Sequence, residues 1–359
     1  MSSVRVTFYG AAGEVTGSKF LITTDKHRVL IDCGLFQGRK DLRLLNWERP
    51  KFEPRDIDAI VLTHAHIDHT GFLPAVVKAG FKGPVYCTPA TQELVQIMLV
   101  DSAHLQEEEA RYANIHGTSK HHPARPLYDQ KDVKDTLALI RPIERDQATE
   151  ILPGFRVFPR CAGHILGSTT LTIDVQGKRL NFSGDIGRYD SPILPDPAPI
   201  ELGDLLLCES TYGDREHPDV DSQTELKKIV LESIERGGPL LIPAFAVGRT
   251  QNLLYYLHKL EQAGEIPELP VYVDSPMAVS VTEIYRRHLN DYDEEAKSRL
   301  KNGGAAIVTT RTTLTQSVDE SKRLNTLKGP RVIISASGMA TGGRILHHLT
   351  RWLPDERST

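Results

Sequence analysis

An apolar run, Asp58-Ala59-Ile60-Val61-Leu62-Thr63, ends directly in His64-Ala65-His66-Ile67-Asp68-His69, which sets four metal-capable side chains within six residues. The run has the length and continuous apolarity of a strand buried on both faces. Residues 72–80 then show helical spacing, with Leu73, Val76 and Val77 on one face and Gly80 as the stop. The histidines therefore occupy a strand-to-helix loop, where irregular backbone lets side chains converge. A lone histidine is most often a polar residue satisfied by its neighbours, but this density at a strand end points to metal. Imidazole and carboxylate donors together suit zinc. More donors are present than one open catalytic tetrahedron needs, so two ions sharing an aspartate are expected.

The flanking sequence places this loop in a β-rich first part. Val4, Val6 and Phe8 alternate with polar residues, and residues 19–23 and 28–32 read as two further short strands. Another strand is expected at 85–88, followed by a helix from 90 to about 114 whose apolar face gives way to the solvated acids Glu107, Glu108 and Glu109. Strands recur at 155–158, 169–175 and 179–183. Prolines at 192, 195, 197 and 199 then mark an extended surface stretch that leads into an apolar strand over 204–209. Beyond Tyr212 the pattern alternates: helix 224–236, strand 239–242, helix 249–263, strand 270–274, further helical segments and strand 331–335. Two domains follow, residues 1–212 and 213–359, both α/β.

Composition excludes several classes. Lys+Arg 43 against Asp+Glu 47 gives a formal charge of -4, so no global basic field announces a polyanionic partner. The four cysteines, Cys33, Cys87, Cys161 and Cys208, form no C-x-x-C pair, which argues against a disulfide framework and a thiolate zinc site. Cys33, Cys161 and Cys208 are expected to be small packed hydrophobes. No apolar stretch approaches the roughly 18 residues that span a bilayer, and the N-terminus has no apolar leader segment, so a cytoplasmic protein with no membrane partner is expected. His347-His348 reads as structural, and Lys120-His121-His122 as an exposed polar loop.

Two distant residues are candidates to complete the metal cluster: His164 in Cys161-Ala-Gly-His-Ile-Leu-Gly-Ser and Asp185 in Asn181-Phe-Ser-Gly-Asp-Ile-Gly. Gly-His and Gly-Asp turns are common, so their weight comes from combination with the cluster. Asp32 in Leu30-Ile-Asp-Cys-Gly, the 64–69 cluster, His164 and Asp185 stand in the order of the metallo-β-lactamase superfamily, which the chain resembles. Later segments narrow the likeness: Glu209-Ser-Thr-Tyr-Gly-Asp214, Ile242-Pro-Ala-Phe-Ala-Val-Gly-Arg-Thr-Gln251, Asp274-Ser-Pro-Met-Ala278 and Ser335-Ala-Ser-Gly-Met-Ala-Thr-Gly-Gly-Arg344. These resemble the β-CASP branch of RNA-processing endoribonucleases, which includes the endonuclease subunit of the cleavage and polyadenylation machinery.

The resemblance implies an αββα metallo-β-lactamase sandwich followed by an α/β β-CASP domain, with RNA entering between them. It implies that His64, His66 and His164 hold one Zn2+ while Asp68 and His69 hold a second, with Asp185 bridging and Asp32 orienting a ligand histidine from behind. A hydroxide bridging the metals would attack a phosphodiester in line, with Asp68 able to take its proton, to give 5′-phosphate and 3′-hydroxyl products. Glu209 corresponds to the family's acid that orients a general-acid histidine. Arg249, Ser275, Ser337 and Arg344 are candidate phosphate or RNA contacts, with helix capping and turn chemistry as the alternative. The family's general-acid histidine and a further zinc-ligating histidine follow the inserted domain, and no residue up to Thr359 matches either. This implies a second metal position one ligand short, an uncovered sheet edge and reduced activity. The chain would then be an incomplete gene product or fragment, or another chain would supply the missing C-terminal segment; a homodimer is the other partner expected. Other readings are a small-molecule ester or thioester metallohydrolase on the same metals, and a noncatalytic RNA-binding subunit.

Overall fold

The computed structural model describes residues 3–216, 218–301 and 307–359. It divides into two compact units, Met1–Tyr189 with Asp196–Thr211, and Asp190–Pro195 with Tyr212–Thr359.

The first unit carries two sheets. Strands β1 (Arg5–Phe8), β2 (Phe20–Thr23), β3 (Arg28–Ile31), β4 (Ala59–Val61), β5 (Val85–Cys87) and β6 (Ile140–Pro142) form the first sheet in that order. β1, β2 and β3 are antiparallel neighbours, and from β3 onward the pairs are parallel. Parallel neighbours need crossover connections, and these are helices α1 (Lys40–Leu45), α2 (Ile67–Thr70), α3 (Leu73–Lys78), α4 (Pro89–His116) and α5 (Gln130–Leu137). Thr88 opens α4 by accepting from the Thr91 N–H, and left-handed Gly117, φ 62°, closes it. The second sheet runs β11-β10-β9-β8-β7, with β7 (Thr149–Leu152), β8 (Phe155–Cys161), β9 (Thr169–Val175), β10 (Lys178–Phe182) and β11 (Leu205–Leu207).

Alternation along the strands builds the core between these sheets. Ile22, Val29, Ile31, Ala59 and Val61 of the first pack with Phe155, Val157, Leu171, Ile173, Val175, Leu180 and Phe182 of the second. The intervening residues Thr172 and Asn181 point to the other face, where the Asn181 amide donates to the Glu201 carbonyl at 2.9 Å. Residues 196–201 thus lie along the outside of the second sheet, and Ala198 N–H donates to the Cys161 carbonyl at 2.8 Å.

The second unit is a parallel sheet in the order β12-β15-β13-β14, from β12 (Pro239–Pro243), β13 (Val271–Asp274), β14 (Thr312–Thr315) and β15 (Arg331–Ser335). Its helices are α6 (Ser222–Arg236), α7 (Arg249–Gln262), α8 (Pro276–Arg287), α9 (Glu294–Lys301), α10 (Val318–Leu324) and α11 (Ile345–Trp352). Sequence reading finds neither β14 nor α5. Thr-Thr-Leu-Thr offers one apolar residue to a period-two test, and α5 is set by an Asp129–Asp132 capping box more than by its short apolar face.

At the end of β13, Asp274 is fully buried and gathers four side-chain donors. Thr315 donates at 2.7 Å, Ser321 at 2.5 Å, Arg344 at 2.8 Å and His348 Nε2 at 2.7 Å. The Trp352 indole N–H donates to Asn325 Oδ1 at 3.0 Å, which fixes that atom as an acceptor. His348 Nδ1 lies 3.1 Å from the same oxygen. His348 is structural, as expected. Burial alone would raise the Asp274 pKa, but the bonds from His348, Ser321, Arg344 and Thr315 hold it well below the usual carboxylate range. The unfolded chain thus takes up this proton first as pH falls, so the stabilisation is present above the unfolded value near 3.9 and is lost progressively below it. Asp274→Asn should destabilise this unit by about 3 kcal/mol and flatten its acid transition below about pH 4. Equilibrium denaturation followed at several pH values checks both; an unchanged midpoint would mean that the network is not a net stabiliser.

Candidate metal centre

The first sheet delivers β3 and β4 side by side, with Ile31 opposite Val61. Each strand then releases its chain into a loop at the same end. Asp32 leaves β3 with φ 56°, a left-handed conformation that aspartate tolerates better than most residues. Two residues on, Gly34 passes so close that a Cβ there would sit 1.5 Å from the Asp68 carbonyl oxygen. Gly187 does the same for the loop after β10, where a Cβ would lie 1.9 Å from the Gly163 carbonyl. These contacts press the loops carrying Asp32, Asp68, His164 and Asp185 into one place.

Four donors converge there. His64 Nε2 lies 3.2 Å from His66 Nδ1, and His164 Nε2 lies 3.1 Å from the same atom. Asp185 Oδ2 is 3.6 Å from His64 Nε2 and 3.5 Å from His164 Nε2. Ligand bonds of about 2.0–2.1 Å put the donors of a tetrahedral zinc on the order of 3.3 Å apart, so the spacing suits such an ion. The other oxygen, Asp185 Oδ1, is 3.1 Å from His69 Nε2, and Asp68 Oδ2 is 3.9 Å from that nitrogen. Asp185 therefore faces two donor groups, one per oxygen.

The ionisation of His64, His66, His164 and Asp185 suits metal binding. Burial, assisted by neighbouring histidines, pushes the pKa of His64 well below its ordinary value, that of His66 down to about 3, and that of His164 down as well. All three present neutral imidazole lone pairs at neutral pH, the form a metal requires. Asp185 is held below the carboxylate range because His64, His69 and His164 outweigh its burial. Burial acts on His69 in the opposite sense, but Asp32 and Asp185 raise its pKa well above the imidazole value, and burial raises that of Asp68.

A buried hydrogen-bond lattice holds the donors. Asp32 Oδ2 lies 2.7 Å from His69 Nδ1, and Asp32 Oδ1 accepts from the Thr63 N–H at 2.8 Å. The Thr63 hydroxyl donates to Asp32 Oδ2 at 2.9 Å and meets His64 Nδ1 at 3.0 Å. Ser168 Oγ accepts from the His164 N–H at 3.1 Å. Sequence reading misses Thr63 and Ser168; their one signal is adjacency, Thr63 as the residue before His64. Glu209 lies beside the cluster: its carboxylate accepts from the N–H of Ile186, next to Asp185, at 3.4 Å and from the Thr211 N–H at 3.1 Å. A cavity of about 680 Å³ opens onto Asp32, His69, Asp185 and Glu209, walled by Phe8 and Phe20 on one side and Leu205 to Leu207 on the other.

In the second unit, Ser275 caps α8 by accepting from the Ala278 N–H at 3.2 Å, and Arg344 donates to Asp274 and to the Gln316 carbonyl. Arg249 is exposed at the start of α7, and the Ser337 hydroxyl is buried with no hydrogen-bond partner among the described residues. One cysteine expectation is corrected: Cys33 is buried and Cys161 half-buried, but Cys208 is exposed, because it follows the edge strand β11, whose Leu205 and Leu206 also face solvent.

The family model of the metallo-β-lactamase superfamily matches residues 12–234. The chain belongs to this superfamily. The Beta-Casp domain model matches residues 250–359, which places it in the β-CASP branch. Ribonuclease TTHA0252 of Thermus thermophilus is 37% identical over 356 residues, covering 99% of this chain and 78% of that protein. Transcription termination factor FttA of Methanocaldococcus jannaschii is 32% identical and that of Methanosarcina mazei also 32%; the chain spans 55% of each. A protein of unknown function from Enterococcus faecalis, with a TM-score of 0.51, 12% identity and coverage of 94% of this chain and 78% of that one, shares the fold. No helix among the described residues is long and apolar enough to cross a membrane.

Asp32→Asn keeps the shape of the lattice but alters the group that orients His69, and it should weaken metal retention roughly 10- to 100-fold. Competition with a chromophoric chelator measures this; unchanged affinity would mean that Asp32 serves the fold alone.

Proposed function

We propose that this chain is a zinc-dependent phosphodiesterase that cuts RNA endonucleolytically. The observation that carries the reading is the convergence of His64, His66, His164 and Asp185, with His69 and Asp68 on the far side of the same aspartate. The names of the ribonuclease and termination-factor relatives support RNA as the substrate class.

His64, His66 and His164 would hold one ion, Asp68 and His69 a second, and Asp185 would bridge. When bound, the two cations supply positive charge that polarises the phosphoryl group and acidifies attacking water. The remaining work falls to the chain itself. Asp32 and Thr63 keep His69 and His64 aimed, which limits the reorganisation needed as charge develops. Asp68, at the edge of the cluster, accepts the proton of the attacking water. Glu209, fixed by two backbone N–H groups, sits where it can orient a proton donor to the leaving oxygen.

Turnover of a fluorogenic RNA by the zinc-loaded chain and its His66→Ala variant tests the reading. The expected result is RNA cleavage that a chelator abolishes and that falls at least about a thousandfold in the variant. Retained cleavage in the variant would remove the metal mechanism. Hydrolysis of a simple ester or thioester with RNA left intact would replace RNA by a small-molecule substrate.

A further inference from the structure

The far end of α4 carries a surface that the metal centre does not use. From Arg111 to Arg125 the sequence contains no aspartate or glutamate, but it holds Arg111, Lys120 and Arg125 together with His116, His121 and His122. All six are exposed. Against an overall formal charge of -4 this is a local basic patch. An aromatic sits within it: the Tyr112 ring is 60% exposed, and it packs on the His116 ring with centroids 4.2 Å apart and planes tilted by 43°.

The patch is built rather than loose. Asn114 clamps the following loop with two bonds: its amide donates to the Ala124 carbonyl at 2.9 Å, and its oxygen accepts from the Ala124 N–H at 2.7 Å. Further along, Leu127 N–H donates to Gln106 and Gln130 N–H to Glu107, which ties the returning chain to α4. These bonds orient Glu107, and Glu108 pairs with Arg111, so the cations left to the patch are Lys120 and Arg125, and of the acids before it Glu109 is exposed. Cations and an open aromatic face on a pre-ordered backbone are what single-stranded nucleic acid requires: charge follows the phosphates, and the ring stacks a base without reading its identity.

We propose that this end of α4 is an anchoring site for single-stranded RNA, remote from the point of cleavage. The inference rests on the RNA reading above. Its reach follows from α4, a continuous helix of 28 residues. The helix starts at the metal centre, where Thr88 and Thr91 hydroxyls donate to the Gly167 carbonyl, in the loop that carries His164. Tyr112 lies about 32 Å further along at 1.5 Å per residue. Spanning that distance takes on the order of ten nucleotides at about 3.4 Å each. Long strands would engage both sites, and short ones the metal centre alone.

The test compares a labelled 30-nucleotide oligouridylate with a pentamer. Affinities are read by fluorescence anisotropy in the non-cleaving His66→Ala chain, and turnover in the otherwise native chain. Tyr112→Ala should weaken 30-mer binding at least about fivefold. Lys120→Glu with Arg125→Glu should weaken it at least roughly tenfold and lower the slope of log affinity against log salt by about 0.7 per cation lost. Cleavage of the pentamer should not change in either variant. Unchanged 30-mer affinity alongside intact cleavage overturns the anchoring site and leaves the RNA reading standing. So does an equal loss for duplex RNA, which would mean charge without stacking. A change in oligomeric state with RNA affinity unmoved overturns it too, and would mark a protein contact. Failure of the native chain to cleave either RNA, with the 30-mer bound and the variants defective, overturns the cleavage reading and supports the anchor.

Discussion

One buried carboxylate organises the first unit. Asp32, 1% exposed, is placed by the end of β3 in a left-handed turn and accepts from Thr63 at the end of β4. It also accepts from His69 in α2. An ionised group at that depth is tolerable only when its lone pairs are filled. Filling them requires the two strand ends, the histidine loop and the following helix to come to one point. The metal donors are therefore aimed by the same bonds that make the strand ends compatible with burial.

The second unit repeats the device with a different result. Asp274 is also buried where a parallel strand ends, and it also gathers donors from distant segments. Here the donors are hydroxyls, a guanidinium and an imidazole that turn inward on the carboxylate. Two aspartates in equivalent positions thus support a cluster of candidate metal donors in one unit and a closed ionic core in the other. Arg344 and Ser275, which read from the sequence as contacts for phosphate, stand in or beside that core and show their structural roles first.

Much of this was legible without coordinates, for a physical reason. The segment from His64 to His69 is local, so its density speaks before any fold is known, and the strand before it and helix after it follow from apolar spacing. His164 and Asp185 are identified through their order along the chain relative to that cluster. Features that stay hidden have no period and no neighbour to betray them. The bond from Thr63 to Asp32 spans 31 residues, and that from His348 to Asp274 spans 74. β14 is too polar to show alternation, and the exposure of Cys208 depends on β11 being at a sheet edge, which composition does not encode.

The groove beside the metal centre has a consequence of another kind. β1 and β11 are the end strands of their sheets, and both border this cavity with Phe8 51%, Leu205 38% and Leu206 52% exposed. Unsatisfied backbone groups next to apolar side chains form a template for any extended peptide. An exposed edge of this kind favours strand-to-strand pairing as a chain is concentrated. A short amphipathic strand laid along either edge would act as a solubilising cap.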